Sequence, residues 1–186
     1  MRPHYLLLAG LLLSTPALAS NERINQAGFA SSVTTENSNQ VLPLRNTHLL
    51  EYLFVDVYSA ALYAPADAKL EQLLASNSAL RLELYYYRSI KRQDVIKAAW
   101  TALERQYDTT TLATLKPSVD QLHASFSDIG SGDRYSLTRT SDQHLVLRHN
   151  GQITFESNDR QLADAYLGIW LRPDGLSAEL RSALLN

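Results

Sequence analysis

The chain has 186 residues, 45% of them hydrophobic and 19% charged, with 17 basic against 19 acidic residues, a net charge of −2 and no cysteine. That balance argues against the basic surface that nucleic-acid binding requires. The absence of thiols excludes disulfides, thiolate metal sites and cysteine nucleophiles.

The N-terminus reads as a targeting segment. Arg2 and His4 form a short basic start, residues 5–13 are almost unbroken apolar sequence, and Ala17-Leu18-Ala19 is a small-x-small cleavage pattern. The apolar run falls short of the ~20 residues that span a bilayer. A signal peptide at residues 1–19, cleavage after Ala19 and a periplasmic or secreted product without a stable membrane anchor are therefore expected. Loss of Arg2 takes the net charge to about −3. Residues 20–186 then form one domain, long enough to bury roughly 70% of its unfolded surface.

Residues 20–47 are polar and broken, with candidate strands at 28–34 and 40–44. Residues 51–65, EYLFVDVYSAALYAP, read as one long interior strand, rich in aromatic and β-branched side chains and free of Gly. Alternation places Leu53, Val55 and Val57 on one face and Tyr52, Phe54, Asp56 and Tyr58 on the other. Residues 66–76 read as a short helix. Residues 79–88 alternate again, with Leu80, Leu82, Leu84 and Tyr86 opposite Arg81, Glu83, Tyr85 and Tyr87.

The clearest amphipathic helix covers residues 91–107, where Val95, Ile96, Ala99, Trp100 and Leu103 make an apolar stripe. A second helical stretch, 110–129, contains Pro117, which predicts a kink or a new helix start. Strands follow at 134–140, 144–149 and 152–157, the last two joined by Asn150-Gly151, a strong hairpin signal. Helices at 158–171 and 177–185 are separated by Pro173-Asp174-Gly175, with Ser177 as a cap. Gly168, inside the first of these, suggests close backbone contact with a sheet, and Tyr166, Ile169 and Trp170 read as core. The segregation of strands and helices indicates an α+β fold, an antiparallel sheet with helices on one face.

Several segments together resemble the bacterial exported branch of the chalcone isomerase-like proteins. They are EYLFVDVYSAALYAP, LRLELYYYRSIKRQD, GDRYSLTRT, HNGQI, ADAYLGIWLRPDG and SAELRSALL, and the similarity spans residues 40–186. The resemblance implies an open-faced β-sandwich with a small-molecule cleft between a large sheet and its helices. Plant members close a chalcone to a flavanone, and other members bind fatty acids. The polar positions used in the family fall here at Leu50, where relatives carry Arg, at Leu53, and near Val95 and Ala102. All four are apolar. Ring closure needs donors for a developing enolate, each worth ~3–4 kcal/mol of barrier, and a buried fatty-acid carboxylate needs a cation.

The expected function is therefore a non-catalytic binder of an apolar or lipid-like molecule, with Arg45, Leu50, Leu53, Tyr85, Tyr87 and Val95 as its candidate ligand-binding residues. A rival is an intramolecular lyase with relocated polar groups, Arg45 with Tyr85 or Tyr87. A third reading is an interaction module that adds a partner strand along residues 85–87. No cofactor motif is present: there is no GxSxG, Walker loop or dinucleotide fingerprint, and the histidines show no metal-binding spacing. Asp56, inward on an apolar face, reads as a hydrogen-bonded structural residue.

Overall fold

The computed structural model describes residues 16–35 and 39–186. The apolar run at residues 5–13 lies outside them. The chain begins with helix α1 (Pro16–Ala27), which contains the expected cleavage bond, and continues into strand β1 (Ser32–Thr34), shorter than the strand expected at 28–34.

Strand β2 (Val41–Tyr52) and strand β3 (Val55–Tyr63) form a hairpin. The single long strand expected over 51–65 is thus two strands. The chain reverses at Leu53 and Phe54, both in the left-handed region at φ 48° and 63°. Nothing in the local composition announces this turn, because such positions favour Asn and Gly. A bulge between Leu50 and Glu51 also shifts the pairing. Asp56 therefore sits on the opposite side of the strand from its expected neighbour Tyr58, and Arg23 Nε donates to Asp56 Oδ2 at 2.6 Å.

Strand β4 (Leu80–Tyr86) follows a loop in which only Leu70–Gln72 makes a turn of 3₁₀ helix. The helix expected at 66–76 is reduced to this one turn, and the end of the loop is tied down by a distant side chain. The Arg139 guanidinium, completely buried, donates to the carbonyls of Leu73 at 2.6 Å, Ser78 at 3.0 Å and Ser76 at 3.1 Å.

Helices α2 (Arg92–Gln106) and α3 (Thr109–Ala124) come next, and α3 runs through Pro117 without a break. Strands β5 (Arg134–Arg139), β6 (Leu145–His149) and β7 (Gln152–Ser157) complete the sheet, with Asn150 and Gly151 at φ 50° and 82° in the hairpin turn. Helix α4 (Arg160–Leu171) is capped by Asp159, and helix α5 (Ala178–Leu185) by Ser177, whose side chain accepts from Leu180 N–H.

The result is a seven-stranded antiparallel meander in the order β1 to β7. Tyr58, Ala60, Leu62, Leu82, Leu84, Tyr86, Tyr135, Leu137 and Leu147 project from one face into a core shared with α2 to α5. The other face carries a smaller cluster of Leu42, Ala61, Tyr63 and Ala79 with Phe29, Val33 and Leu44 against it. Arg134 donates from that face to Glu83 and to the Ala27 carbonyl, so the N-terminal segment clasps the outer side of the sheet. Gly168 does not approach the sheet as expected. Its carbonyl accepts from Gln106 Nε2 at 2.9 Å, and a side chain there would meet Arg172 at 2.8 Å.

Candidate functional site

Between the helix-facing side of β4 to β6 and the start of the loop after α3 lies a cavity of about 40 Å³. Its sheet wall is Leu82, Leu84, Tyr86, Tyr135, Leu137 and Leu147, and Phe126, Ser127, Ile129, Tyr166 and Trp170 close it from the other side. The period-2 pattern of a half-covered sheet supplies the first group. Tyr166 and Trp170, four residues apart on α4, supply the roof.

The aromatic rings form a continuous network. Tyr86 meets Tyr58 at 5.3 Å and Tyr135 at 6.3 Å, Phe126 meets Tyr135 at 5.8 Å, and Tyr166 meets Trp170 at 6.1 Å between ring centroids. Trp170 donates its indole N–H to the Tyr58 hydroxyl at 3.1 Å. The Tyr166 hydroxyl lies 3.0 Å from His123 Nε2. Burial raises the pKa of Tyr58, Tyr86 and Tyr166, so these phenols stay neutral. Burial also pushes His123 down to about 4, helped by Arg92 and Lys116 and opposed by Asp120. No Arg or Lys lines the cavity. The site offers aromatic surface and neutral hydroxyls, suited to an uncharged apolar guest.

The residues singled out from sequence do not meet there. Leu50 pairs with Tyr58 and packs, half-buried, against the edge of the main core. Leu53 sits at the hairpin tip and is 73% exposed. Val95, on α2, also packs against the main core, and Ala102 is fully buried within it. Arg45 donates to the Pro65 carbonyl. Tyr85 and Tyr87 do share a face, with rings 5.3 Å apart, but it is the face away from the cavity. There Tyr87 donates to the Arg23 carbonyl and lies 2.6 Å from Ser59 Oγ, while Arg134 stacks over Tyr85 at 5.2 Å.

Strand β4 is paired on both sides, with β3 and β5. Its residues 85–86 are therefore not a free edge for a partner strand, which corrects the interaction-module reading. Tyr166 and Trp170, read from sequence as core, are both core and cavity wall. Tyr86 and Tyr135 were missed as site residues. Their signal was present, since both occupy the oily phase of alternating strands.

Among the described residues no three His, Asp or Glu side chains converge as a metal site, and no helix is long and apolar enough to cross a membrane. No curated protein matches the chain significantly. Among solved structures, it is similar to a fatty-acid binding protein of Arabidopsis thaliana, with a TM-score of 0.60 at 14% identity over 83% of this chain and 95% of that one. That identity supports a shared fold. The model of the chalcone isomerase-like family matches residues 22–186, and with nearly the whole described fold inside that match, the chain belongs to the chalcone isomerase-like family.

Proposed function

We propose that this protein binds a small apolar or lipid-like molecule in the aromatic cavity and does not carry out the ring closure of the plant enzymes. The observation that carries this reading is the cavity's lining of hydrocarbon, aromatic rings and neutral hydroxyls with no cation among them. The fatty-acid binding protein of similar fold supports a lipid-like guest. The apolar residues at Leu50, Leu53, Val95 and Ala102 support the absence of cyclase chemistry. The relocated-lyase alternative draws no support from the geometry, because Arg45, Tyr85 and Tyr87 are engaged separately and outside the cavity.

A cavity of 40 Å³ holds little more than a water or a short apolar tail, whereas drug-sized ligands occupy several hundred Å³. Binding of a larger guest requires the cavity walls to move apart. Native mass spectrometry of the protein as isolated tests for a retained ligand. Titration with 1-N-phenylnaphthylamine tests the cavity itself: fluorescence enhancement lost in Leu84→Trp, which fills the space, is expected. Equal enhancement in both proteins would place the probe elsewhere and refute the cavity as the site.

We further propose that the protein is exported. The support is the N-terminal sequence pattern. Protein recovered from a periplasmic extract is expected to begin at Ser20, and an intact Met1 would overturn this reading.

A further inference from the structure

At the rim of the cavity four polar side chains meet. Strands β5 and β6 pair Tyr135 directly with His149, and the two rings stack in parallel, 4.3 Å apart at 7°. This stacking fixes the plane of the imidazole. Its Nε2 lies 3.2 Å from Asp133 Oδ2, and its Nδ1 lies 3.5 Å from Ser127 Oγ. Ser127 Oγ is in turn 3.5 Å from the Tyr135 hydroxyl. Ser127 and Tyr135 both line the cavity.

Asp133 is held in place from two other sides. Gly130 N–H donates to Oδ2 at 2.6 Å and the Asn150 side-chain amide to Oδ1 at 2.9 Å. Burial works against the charge, but these bonds and His149 outweigh it and keep the carboxyl below its ordinary range. With its proton on Nε2, His149 donates to the ionised carboxylate. Asn150 Nδ2, which lies 3.3 Å from the same nitrogen, gives a hydrogen to Asp133 Oδ1. The Nδ1 lone pair is then left facing the Ser127 hydroxyl.

We propose that Ser127, His149 and Asp133 act as nucleophile, base and orienting carboxylate, with the Tyr135 hydroxyl as oxyanion donor, and that the protein hydrolyses short-chain carboxylic esters whose acyl group enters the aromatic cavity. The assignment rests on that cavity as the ligand site and goes beyond passive binding. Each role needs the residue that fills it: a hydroxyl beside a base, a base oriented by a third group, and a donor near the nucleophile. Side-chain contacts of 3.5 Å are loose for proton transfer, and such contacts tighten when substrate is bound.

The reaction balances with water alone. Ser127 Oγ bonds to the ester carbonyl carbon as its proton passes to His149 Nδ1, and Tyr135 donates to the carbonyl oxygen as charge develops there. The bond to the alkoxy oxygen breaks, and the alcohol leaves with the proton from Nδ1 on the solvent side, where Ser127 is exposed. Water then attacks the acyl-serine, its proton going to Nδ1 and on to Ser127 Oγ, which releases the acid. Asp133 remains ionised throughout. The small cavity limits the acyl group to a few carbons.

The experiment is nitrophenolate release by the full chain from p-nitrophenyl acetate and butyrate, with fluorophosphonate labelling and peptide mapping alongside. Saturable turnover, an adduct on Ser127, and a fall in kcat of at least about 100-fold in both Ser127→Ala and His149→Ala are expected. Ser127 is exposed, so Ser127→Ala retains the native circular dichroism and melting temperature. If the cluster only braces the hairpin, Ser127→Ala hydrolyses as fast as the unmodified protein and no adduct forms on Ser127, and the proposal falls. Probe binding separates the two readings: 1-N-phenylnaphthylamine binding without esterolysis overturns the hydrolase alone, whereas loss of both overturns the cavity site as well.

Discussion

Arg139 Nη1 donates to Asp164 Oδ1 at 2.6 Å, joining the last residue of β5 to the middle of α4 across a completely buried guanidinium. The same side chain collects the carbonyls of the loop before β4. Removing it leaves the Ser76 and Ser78 carbonyls without this donor, while Leu73 keeps the Ser76 hydroxyl and Asp164 keeps only Arg160, at 3.6 Å. Arg139→Met is expected to cost about 3–5 kcal/mol, measured by urea denaturation. A loss under about 1 kcal/mol would mean that water replaces the guanidinium and that the loop is held by packing alone.

The hairpin tip breaks two local rules at once. Leu53 and Phe54 adopt left-handed backbone angles, which cost roughly 1–2 kcal/mol each for residues of this type, and they expose 73% and 100% of their surface. The double change Leu53→Asn with Phe54→Gly supplies residues suited to the turn. It is expected to raise stability by about 1–2 kcal/mol, seen as a higher urea midpoint with an unchanged slope. A lower midpoint would show that the exposed side chains stabilise the turn by contacts of their own.

His123 couples stability to pH. Its folded pKa of about 4 lies below the ~6.5 of an unfolded histidine, so between these values the unfolded chain binds a proton that the folded one does not. The stability is fully present above about pH 6.5 and declines as pH falls toward 4, by up to about 3 kcal/mol. His144 has the opposite sign. Burial lowers its pKa, but hydrogen bonds with Asn158 and Glu156 outweigh this and raise it, so its contribution is lost as pH rises above the unfolded value. Denaturation of His123→Phe between pH 4 and 6.5 is expected to show a flatter dependence than the parent. An identical slope would assign the acid sensitivity to other groups.

Glycines 168 and 175 differ in what surrounds them. A side-chain carbon at Gly175 would lie 2.4 Å from the Ile169 carbonyl oxygen, fixed backbone, whereas at Gly168 the obstacle is the flexible side chain of Arg172. Gly175→Ala is expected to lose about 1–3 kcal/mol and Gly168→Ala clearly less, compared by thermal melting. The reverse order would mean that Arg172 is the more rigid neighbour.

Local patterns along the chain specify the α+β class, the helices α2 to α5, the Asn150-Gly151 hairpin and the apolar phase of β4. These features depend on periodicity, capping and turn chemistry, which act within a few residues. Tertiary structure decided the rest. The chain reverses at Leu53 and Phe54 against local preference, and the irregular segment before β4 is held in place by Arg139, more than 60 residues away in the chain. The site followed the same division. Tyr85 and Tyr87 were placed correctly on one face, but that face is the one clasped by the N-terminal segment. The cavity, and the meeting of Ser127, Asp133 and His149 at its rim, arise from strand register and from a loop whose path no short-range pattern specifies.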